Sequence, residues 1–349
     1  MGEQHPLLRS RGARTRTAPL DEAIEALSLV LQTAELGMVT SAPTRWGKST
    51  FLDELEARFE KARSGVVMRS TMLADSATRF ENRFYRRLRG EEEGEESAFP
   101  QQNPKMALLR HIQNECDKVQ TTLVVFALDE AQNLTVHQLD LLKVLTENLL
   151  NMGFKPFVLL VGQPEVLLLR EWLREHSRQD IVQRFMLRAH ALRGIRSAQE
   201  LRPLLRDADQ AIWPVDSNRS HTQHFAPIAW ERGWRLEREA EGLWQTFVLH
   251  AKSIGLNAER LEVGTQFIAQ AKLALLQGTI GTPQGVRDGA SQLLVDPHRP
   301  LRPGHELLQA AVEHSGFREF QNLGAKPVDP GSPTSKQARR WMGQLRPRQ

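Results

Sequence analysis

The chain has 349 residues, of which 40% are hydrophobic and 25% are charged, and its formal net charge is +4. This length and apolar content are sufficient for a large folded domain with smaller additions, which argues against a disordered chain. The sequence has no run of ~20 apolar residues that could cross a bilayer, and its start lacks the pattern of an export signal. We therefore expect a cytoplasmic protein. The single cysteine, Cys116, excludes an intrachain disulfide.

Apolar residues at helical spacing and short apolar runs alternate along residues 18–195. The predicted strands lie at 38–41, 65–68, 122–128, 157–161 and 186–192. Continuous apolar strands that alternate with helices favour an α/β fold, in which helices cover both faces of a parallel sheet. Sites in such folds lie at the carboxyl ends of the strands.

The predicted strands end near residue 196. This change in pattern, together with the composition of the two ends, divides the chain into four segments. The predicted domains are a basic N-terminal arm at 1–17, an α/β domain at 18–195, a small helical domain at 196–297 and a partly ordered basic tail at 298–349. The two basic ends suit a polyanion partner, although solvated basic tails are equally common.

The segment after the first predicted strand reads Ser41-Ala-Pro-Thr-Arg-Trp-Gly-Lys-Ser-Thr50. Its end matches the phosphate-binding pattern G-x-x-x-x-G-K-[ST], in which backbone N–H groups and a helix N-terminus hold phosphates. The lysine would neutralise the β- and γ-phosphates, and the Ser49 hydroxyl would ligate Mg²⁺. Ala42 replaces the first glycine, so this motif alone leaves a chance Gly-Lys-Ser as the alternative. The candidate ATP-binding residues of the loop are Thr44, Arg45, Trp46, Gly47, Lys48, Ser49 and Thr50.

Two adjacent carboxylates close the third predicted strand. Asp129 is a candidate ligand of Mg²⁺ and a candidate ATP-binding residue. Glu130 is the candidate base that orients and deprotonates the attacking water. The alternative, two solvated acids at a strand end, is disfavoured once a phosphate loop precedes them. Gln163 follows the next strand and could reach the γ-phosphate or the water, although Gly-Gln-Pro also simply ends a strand.

Three arginines are further candidates around the nucleotide. Arg184, with Arg178 as the second choice, could act as an arginine finger that stabilises transition-state charge in a neighbouring subunit. An ordinary surface arginine is the equal alternative. Arg287 could turn back toward the nucleotide if the segment from Gly281 begins a helix.

A stripe of arginines follows the second predicted strand. Arg79, Arg83 and Arg86 lie at helical spacing with Arg87 beside them, and they could line a positive channel for duplex DNA. The alternative is a solvated helix face whose arginines pair with the acidic run at 91–96.

The order of these motifs resembles the AAA+ ATPases and, within them, the TniB/TnsC family of transposition regulators. The resemblance covers residues 15–290 and includes Leu128-Asp-Glu-Ala-Gln-Asn133, Gly162-Gln-Pro-Glu165, Val182-Gln-Arg-Phe185 and the aromatic segment 225–236. It implies a P-loop AAA+ core with a small helical lid domain, which assembles with ATP into rings or helical filaments on duplex DNA. It also implies that the protein links a target-selection protein to a transposase, with slow ATP hydrolysis as a timer.

Two other functions stay open at the level of sequence. An ExeA-like ATPase would serve a secretion or membrane assembly apparatus, and a nucleotide-gated scaffold would bind ATP without hydrolysing it. Ala42 and Trp46 depart from the family pattern and bear on the hydrolysis rate more than on binding. Because no transmembrane or membrane-surface helix is evident in the sequence, we favour the DNA-binding ATPase with no membrane partner.

Overall fold

The computed structural model describes residues 15–72, 80–91, 103–278 and 305–317. These residues form two compact units, each with its own apolar core. The sheet unit contains residues 22–44, 48–72, 80–91 and 103–192. The helical unit contains residues 15–21, 45–47, 193–278 and 305–317.

The sheet unit alternates strands with helices, as the apolar pattern predicts. Its strands are β1 (Gly37–Ser41), β2 (Val66–Thr71), β3 (Leu123–Asp129), β4 (Lys155–Gly162) and β5 (Arg188–Ala191). The helices, the first of which begins in the residues of the helical unit, are α1 (Ala18–Leu31), α2 (Lys48–Ala62), α3 (Phe80–Leu88), α4 (Pro104–Val119), α5 (Val136–Asn151), α6 (Glu165–Glu175) and α7 (Gln179–Phe185).

The five strands form one parallel sheet in the order β2-β3-β4-β1-β5. β1, β3 and β4 are almost completely buried, which explains why their sequences are apolar throughout. In the register of the sheet, Ser41 at the end of β1 lies opposite Gly162 at the end of β4. The carboxyl ends of β1, β4 and β3 are therefore neighbours at one edge.

Local sequence explains where two of the helices begin. The Asn103 side chain accepts the Lys105 N–H, and Pro104 occupies the first turn of α4, where no N–H donor is needed. α5 begins with a capping box, in which Thr135 and Gln138 each accept the other's backbone N–H. This capping box fixes the start of α5 shortly after the acidic end of β3.

The helical unit contains helices that pack around aromatic side chains. These helices are α8 (Ala198–Gln210), α9 (His221–Phe225), α10 (Pro227–Glu231), α11 (Ala240–Ser253), α12 (Thr265–Gly278) and α13 (His305–His314). Phe317 contacts Phe247 and Phe267 edge to face in its core. α13 lies within the predicted tail at 298–349, most of which is outside the described residues, as is most of the predicted arm at 1–17. No helix within the described ranges is long and apolar enough to span a membrane.

Candidate nucleotide-binding site

The end of the loop after β1 has a backbone that only glycine adopts easily. Gly47 has a φ of +98°, and a Cβ added there would lie 2.8 Å from the Thr265 Oγ1. α2 begins at Lys48, and the first N–H groups of a helix have no acceptors within it. The loop therefore combines a left-handed glycine with free donors at a helix start, which suits a phosphate group.

Ala42 begins this loop without strain. Its φ is not positive, so a glycine is not required there. The residue is 1% exposed, and its N–H donates to the Gly162 carbonyl oxygen at 3.0 Å. The substitution that departs from the phosphate-loop pattern is thus accommodated by the apolar core, and it leaves the loop aligned with the end of β4.

The Lys48 ammonium group lies inside the loop. Its Nζ donates to the carbonyl oxygens of Ala42 at 3.0 Å and Pro43 at 3.1 Å, and the residue is 8% exposed. Burial lowers the pKa of Lys48, whereas the negative charges of Glu130, Asp129 and Glu165 act to raise it. The loop thus presents a buried amine among carboxylates, at the point where a phosphate would be expected.

Asp129 and Glu130 lie where β3 ends, in two different environments. Asp129 is 9% exposed, and its Oδ1 accepts the Glu130 N–H at 2.8 Å. Burial raises the pKa of Asp129, although this hydrogen bond and the nearby Arg69 and Lys48 act to lower it. Glu130 has φ 54° and ψ 38°, a left-handed conformation that is uncommon for a residue with a side chain. Such strain is concentrated at functional sites.

Gln132, for which the quoted segment 128–133 predicted no role, joins the ends of β3 and β4. Its Nε2 donates to the Glu130 Oε2 at 2.5 Å, and its Oε1 accepts the Gln163 N–H at 2.9 Å. Gly162 permits this approach, because a Cβ there would lie 2.7 Å from the Gln132 Oε1. Gln163 thus enters the site through its backbone, in addition to the side-chain role predicted for it.

Glu165, at the start of α6, is a second residue that the sequence did not identify. Its Oε2 is buried and has no hydrogen-bond partner within the described part of the chain, and its charge acts on Lys48. The sequence signal was available in Gly162-Gln-Pro-Glu165, but a helix often begins with an acid, so the residue type alone does not indicate a site.

The other loop candidates differ in their surroundings. The side chains of Thr44 and Ser49 are exposed, and that of Thr50 is half-buried. The Arg45 guanidinium lies 5.5 Å from the ring centre of Phe267, and the Arg45 carbonyl accepts the Gln266 N–H at 3.1 Å. Arg45 and Trp46 therefore contact the start of α12: a Cβ added to Gly264 would lie 2.9 Å from the Trp46 Cδ1.

Both arginine-finger candidates are paired within the sheet unit. Arg184 NH1 lies 3.0 Å from the Glu147 Oε1 and donates to the Lys143 carbonyl at 3.3 Å. Arg178 pairs with Asp140 and Asp180. None of these partners belongs to the phosphate loop or to the end of β3, so among the described residues neither arginine pairs with the site of its own chain. Arg287 lies outside the described residues.

The predicted arginine stripe is partly visible on α3. Arg83, Arg86 and Arg87 lie on this helix with half-buried side chains, and Arg79 is outside the described residues. Arg86 Nε lies 3.9 Å from the Glu91 Oε2, and Arg89 also contacts Glu91. The first acid of the run at 91–96 therefore pairs with arginines of this segment, as the solvated-face alternative expected. Residues 92–96 are outside the described ranges.

A comparison with models of protein families indicates which class of domain the sheet unit is similar to. Residues 31–169 match the family model for the AAA domain. This segment includes β1 to β4, the phosphate loop and both carboxylates. Together with the parallel sheet, the match supports an AAA+ P-loop ATPase domain in this segment, and the fold class predicted from the sequence is confirmed. No match was found among curated protein sequences.

Several solved structures are distantly similar over most of their length. One is the ORC2 protein of Aeropyrum pernix in ADPNP–ADP complexes, with 15% identity, a TM-score of 0.37 and coverage of 93% of this chain and 92% of that one. Another is Cdc6p of Pyrobaculum aerophilum, with 12% identity, a TM-score of 0.38 and coverage of 91% and 99%. A third is the ORC1 protein of Aeropyrum pernix in complex with DNA, with 16% identity, a TM-score of 0.35 and coverage of 91% and 86%. Similarity this distant carries no argument about the ligands of this chain.

Proposed function

We propose that this protein binds ATP at the end of β1 and hydrolyses it with Glu130 as the general base. The observation that carries the proposal is the grouping of Lys48, Asp129 and Glu130, since the buried amine of the loop interacts with the charges of both carboxylates. A phosphate loop beside two such acids is the arrangement that in-line phosphoryl transfer needs.

Each group in the site has a role that suits its surroundings. The N–H groups at the start of α2 would bind phosphate oxygens, and Lys48 would exchange its two carbonyl partners for phosphate. Asp129 and Ser49 fit Mg²⁺, because carboxylate and hydroxyl oxygens are the ligands that this hard cation prefers. Held by these residues, Mg²⁺ would supply positive charge beside the phosphates.

Glu130 would orient a water molecule toward the γ-phosphorus and accept its proton. The water oxygen forms a bond to phosphorus while the bond from phosphorus to the bridging oxygen breaks, and ADP leaves with that electron pair. The products are ADP, inorganic phosphate and the proton that Glu130 later releases. The chemistry needs no covalent enzyme intermediate.

We further propose that subunits with bound ATP assemble on duplex DNA and link a target-selection protein to a transposase. The arginines of α3 support a DNA contact, since a cluster of cations on one helix suits a phosphate backbone. The assembly and its partners rest on the resemblance of the motifs to transposition regulators, in which slow hydrolysis would release the protein from DNA.

Glu130→Gln tests both parts of the proposal. An amide cannot accept the proton of water, so the variant should bind ATP with normal affinity while its turnover falls about 100-fold or more. Assemblies on duplex DNA should then persist, as observed by electron microscopy with ATP. Glu60→Gln, which changes an exposed acid at the end of α2, is the matched control.

Normal turnover in Glu130→Gln would remove Glu130 from the role of base. A variant that binds ATP but remains monomeric with ATP and duplex DNA would instead contradict the assembly on DNA.

A further inference from the structure

The turn after β3 is fixed through its backbone on two sides. The Met72 N–H, just after β2, donates to the Asp129 carbonyl at 2.8 Å, and the Asn133 Nδ2 donates to the Met72 carbonyl at 3.1 Å. Within the turn, the Asn133 N–H donates to the Glu130 carbonyl at 2.9 Å. These bonds hold the backbone of Glu130, but they leave its carboxylate to be oriented by side-chain contacts.

The side chain of Gln132 supplies such a contact. Its amide nitrogen donates to one oxygen of Glu130, and its amide oxygen is itself held by the Gln163 N–H. Because both ends of the amide are bonded, its rotation is restricted. Glu130 thus has one oxygen held by Gln132, and its second oxygen has no hydrogen-bond partner among the described residues.

The same contact connects the base to the phosphate loop. The Gly162 carbonyl accepts the Ala42 N–H at 3.0 Å, and the next residue, Gln163, donates to Gln132. The absence of a side chain at Gly162 allows Gln132 to lie against β4. A continuous set of hydrogen bonds therefore runs from the first residue of the loop to the carboxylate of Glu130.

We infer that Gln132 is a positioning residue for ATP hydrolysis, which sets the orientation of the Glu130 carboxylate relative to the phosphate loop. This assignment rests on the proposed function of Glu130. Misplacing a catalytic group by about 1 Å can cost ~100-fold in rate without changing how substrate binds. Loss of Gln132 should therefore appear in kcat and leave ATP affinity unchanged.

Two substitutions separate positioning from a purely structural role. Gln132→Ala removes both hydrogen bonds, whereas Gln132→Glu keeps the acceptor for the Gln163 N–H, removes the donor to Glu130 and places a second negative charge beside it. We expect kcat to fall about 10- to 100-fold in both variants, with ATP affinity within about twofold of wild type. Gln113→Glu, on an exposed position of α4, is the control.

A double-mutant cycle adds a second criterion. In a Glu130→Gln background there is no base to orient, so Gln132→Ala should cause no further loss of turnover. If Gln132→Ala does not fold, the cycle is made with Gln132→Glu. Additive losses would overturn the assignment.

Two further outcomes distinguish a failure of the positioning role of Gln132 from a failure of the proposed ATPase function. If the wild-type protein hydrolyses ATP and Gln132→Glu has the same kcat, the role of Gln132 is overturned and the ATPase function is left intact. A wild-type protein that binds ATP and never hydrolyses it, with or without DNA, would overturn the proposed function and the positioning role with it.

Discussion

At the scale of single residues, the site is organised by the burial of opposite charges. Lys48 is almost fully buried, and three carboxylates lie close enough to affect its pKa. An uncompensated buried charge is costly, and the three carboxylates act against the effect of burial on the pKa of Lys48. A phosphate bound at the loop would bring further negative charge next to Lys48. A lysine within the loop itself is therefore placed to neutralise that charge.

Asp180 shows how an ion pair keeps an arginine of the sheet unit in place. Although burial acts to raise its pKa, hydrogen bonds from Arg178 and Lys143 lower the pKa of Asp180 to about 2. The folded value lies below the unfolded value of 3.8, so the pair stabilises the fold above about pH 4 and that contribution is lost as the pH falls toward 2.

We therefore predict that Asp180→Asn lowers the free energy of unfolding at pH 7 by less than about 1 kcal/mol, because the side chain is 40% exposed. The difference from wild type should shrink as the pH falls through 4 toward 2. Urea unfolding at a series of pH values measures it, and Asp216→Asn, which changes an exposed acid in the helical unit, is the control. A difference that stays constant across this range would contradict the low pKa.

Residue type and spacing were sufficient to select Lys48, Asp129 and Glu130, because a loop lysine and paired acids at a strand end form a pattern along the chain. Gln132 and Glu165 could not be selected in the same way. The contact of Gln132 depends on the left-handed turn at Glu130 and on the missing side chain at Gly162. Neither feature produces a recurring pattern of residue types along the sequence.

At the scale of elements, the apolar runs predicted each strand, but β5 is shorter than the run at 186–192 and is largely exposed. The order of the strands could not be read from the sequence. β1 lies between β4 and β5, both of which are distant from β1 along the chain, so this arrangement depends on how the crossover helices pack. The site exists because that order makes the ends of β1, β4 and β3 neighbours.

α3 allows the two interpretations of its arginines to be separated. If Arg86 binds DNA phosphates, its pairing with Glu91 competes with DNA. Arg86→Gln should then weaken DNA binding for any sequence and reduce the log–log salt slope by about one, because one fewer counterion is released. Glu91→Gln should strengthen binding. Both are measured by fluorescence anisotropy over a range of salt concentrations in the presence of ATP.

Arg202→Gln, an exposed change on α8, controls for the loss of one positive charge anywhere in the chain. Every variant retains the basic ends of the chain, so any salt-dependent background from them is the same in each. If Arg86→Gln and Glu91→Gln both bind DNA like the control, α3 is a solvated face and the DNA site lies elsewhere.

At the scale of the whole molecule, the function we propose requires more than one copy of the chain. Arg184 has its partners on α5 of its own chain, and its interaction with Glu147 involves a carboxylate that is 45% exposed. Such pairs contribute about 0–1 kcal/mol. Arg184 can therefore leave Glu147 at little cost when a more highly charged phosphate group of a neighbouring subunit is within reach.

We predict that Arg184→Ala reduces turnover by about 10³-fold or more, as expected for an arginine finger, and leaves ATP binding intact. Lys48→Ala should abolish ATP binding. Neither variant should hydrolyse ATP alone, but a mixture should regain part of the wild-type rate, because some interfaces then pair an intact loop with an intact arginine from the neighbour. Arg188→Ala, which removes an exposed arginine paired with Glu35, should retain turnover by itself. If no activity returns at any mixing ratio while co-assembly on DNA is confirmed, the site is complete within one chain and Arg184 has only the structural role that its bonds to α5 describe.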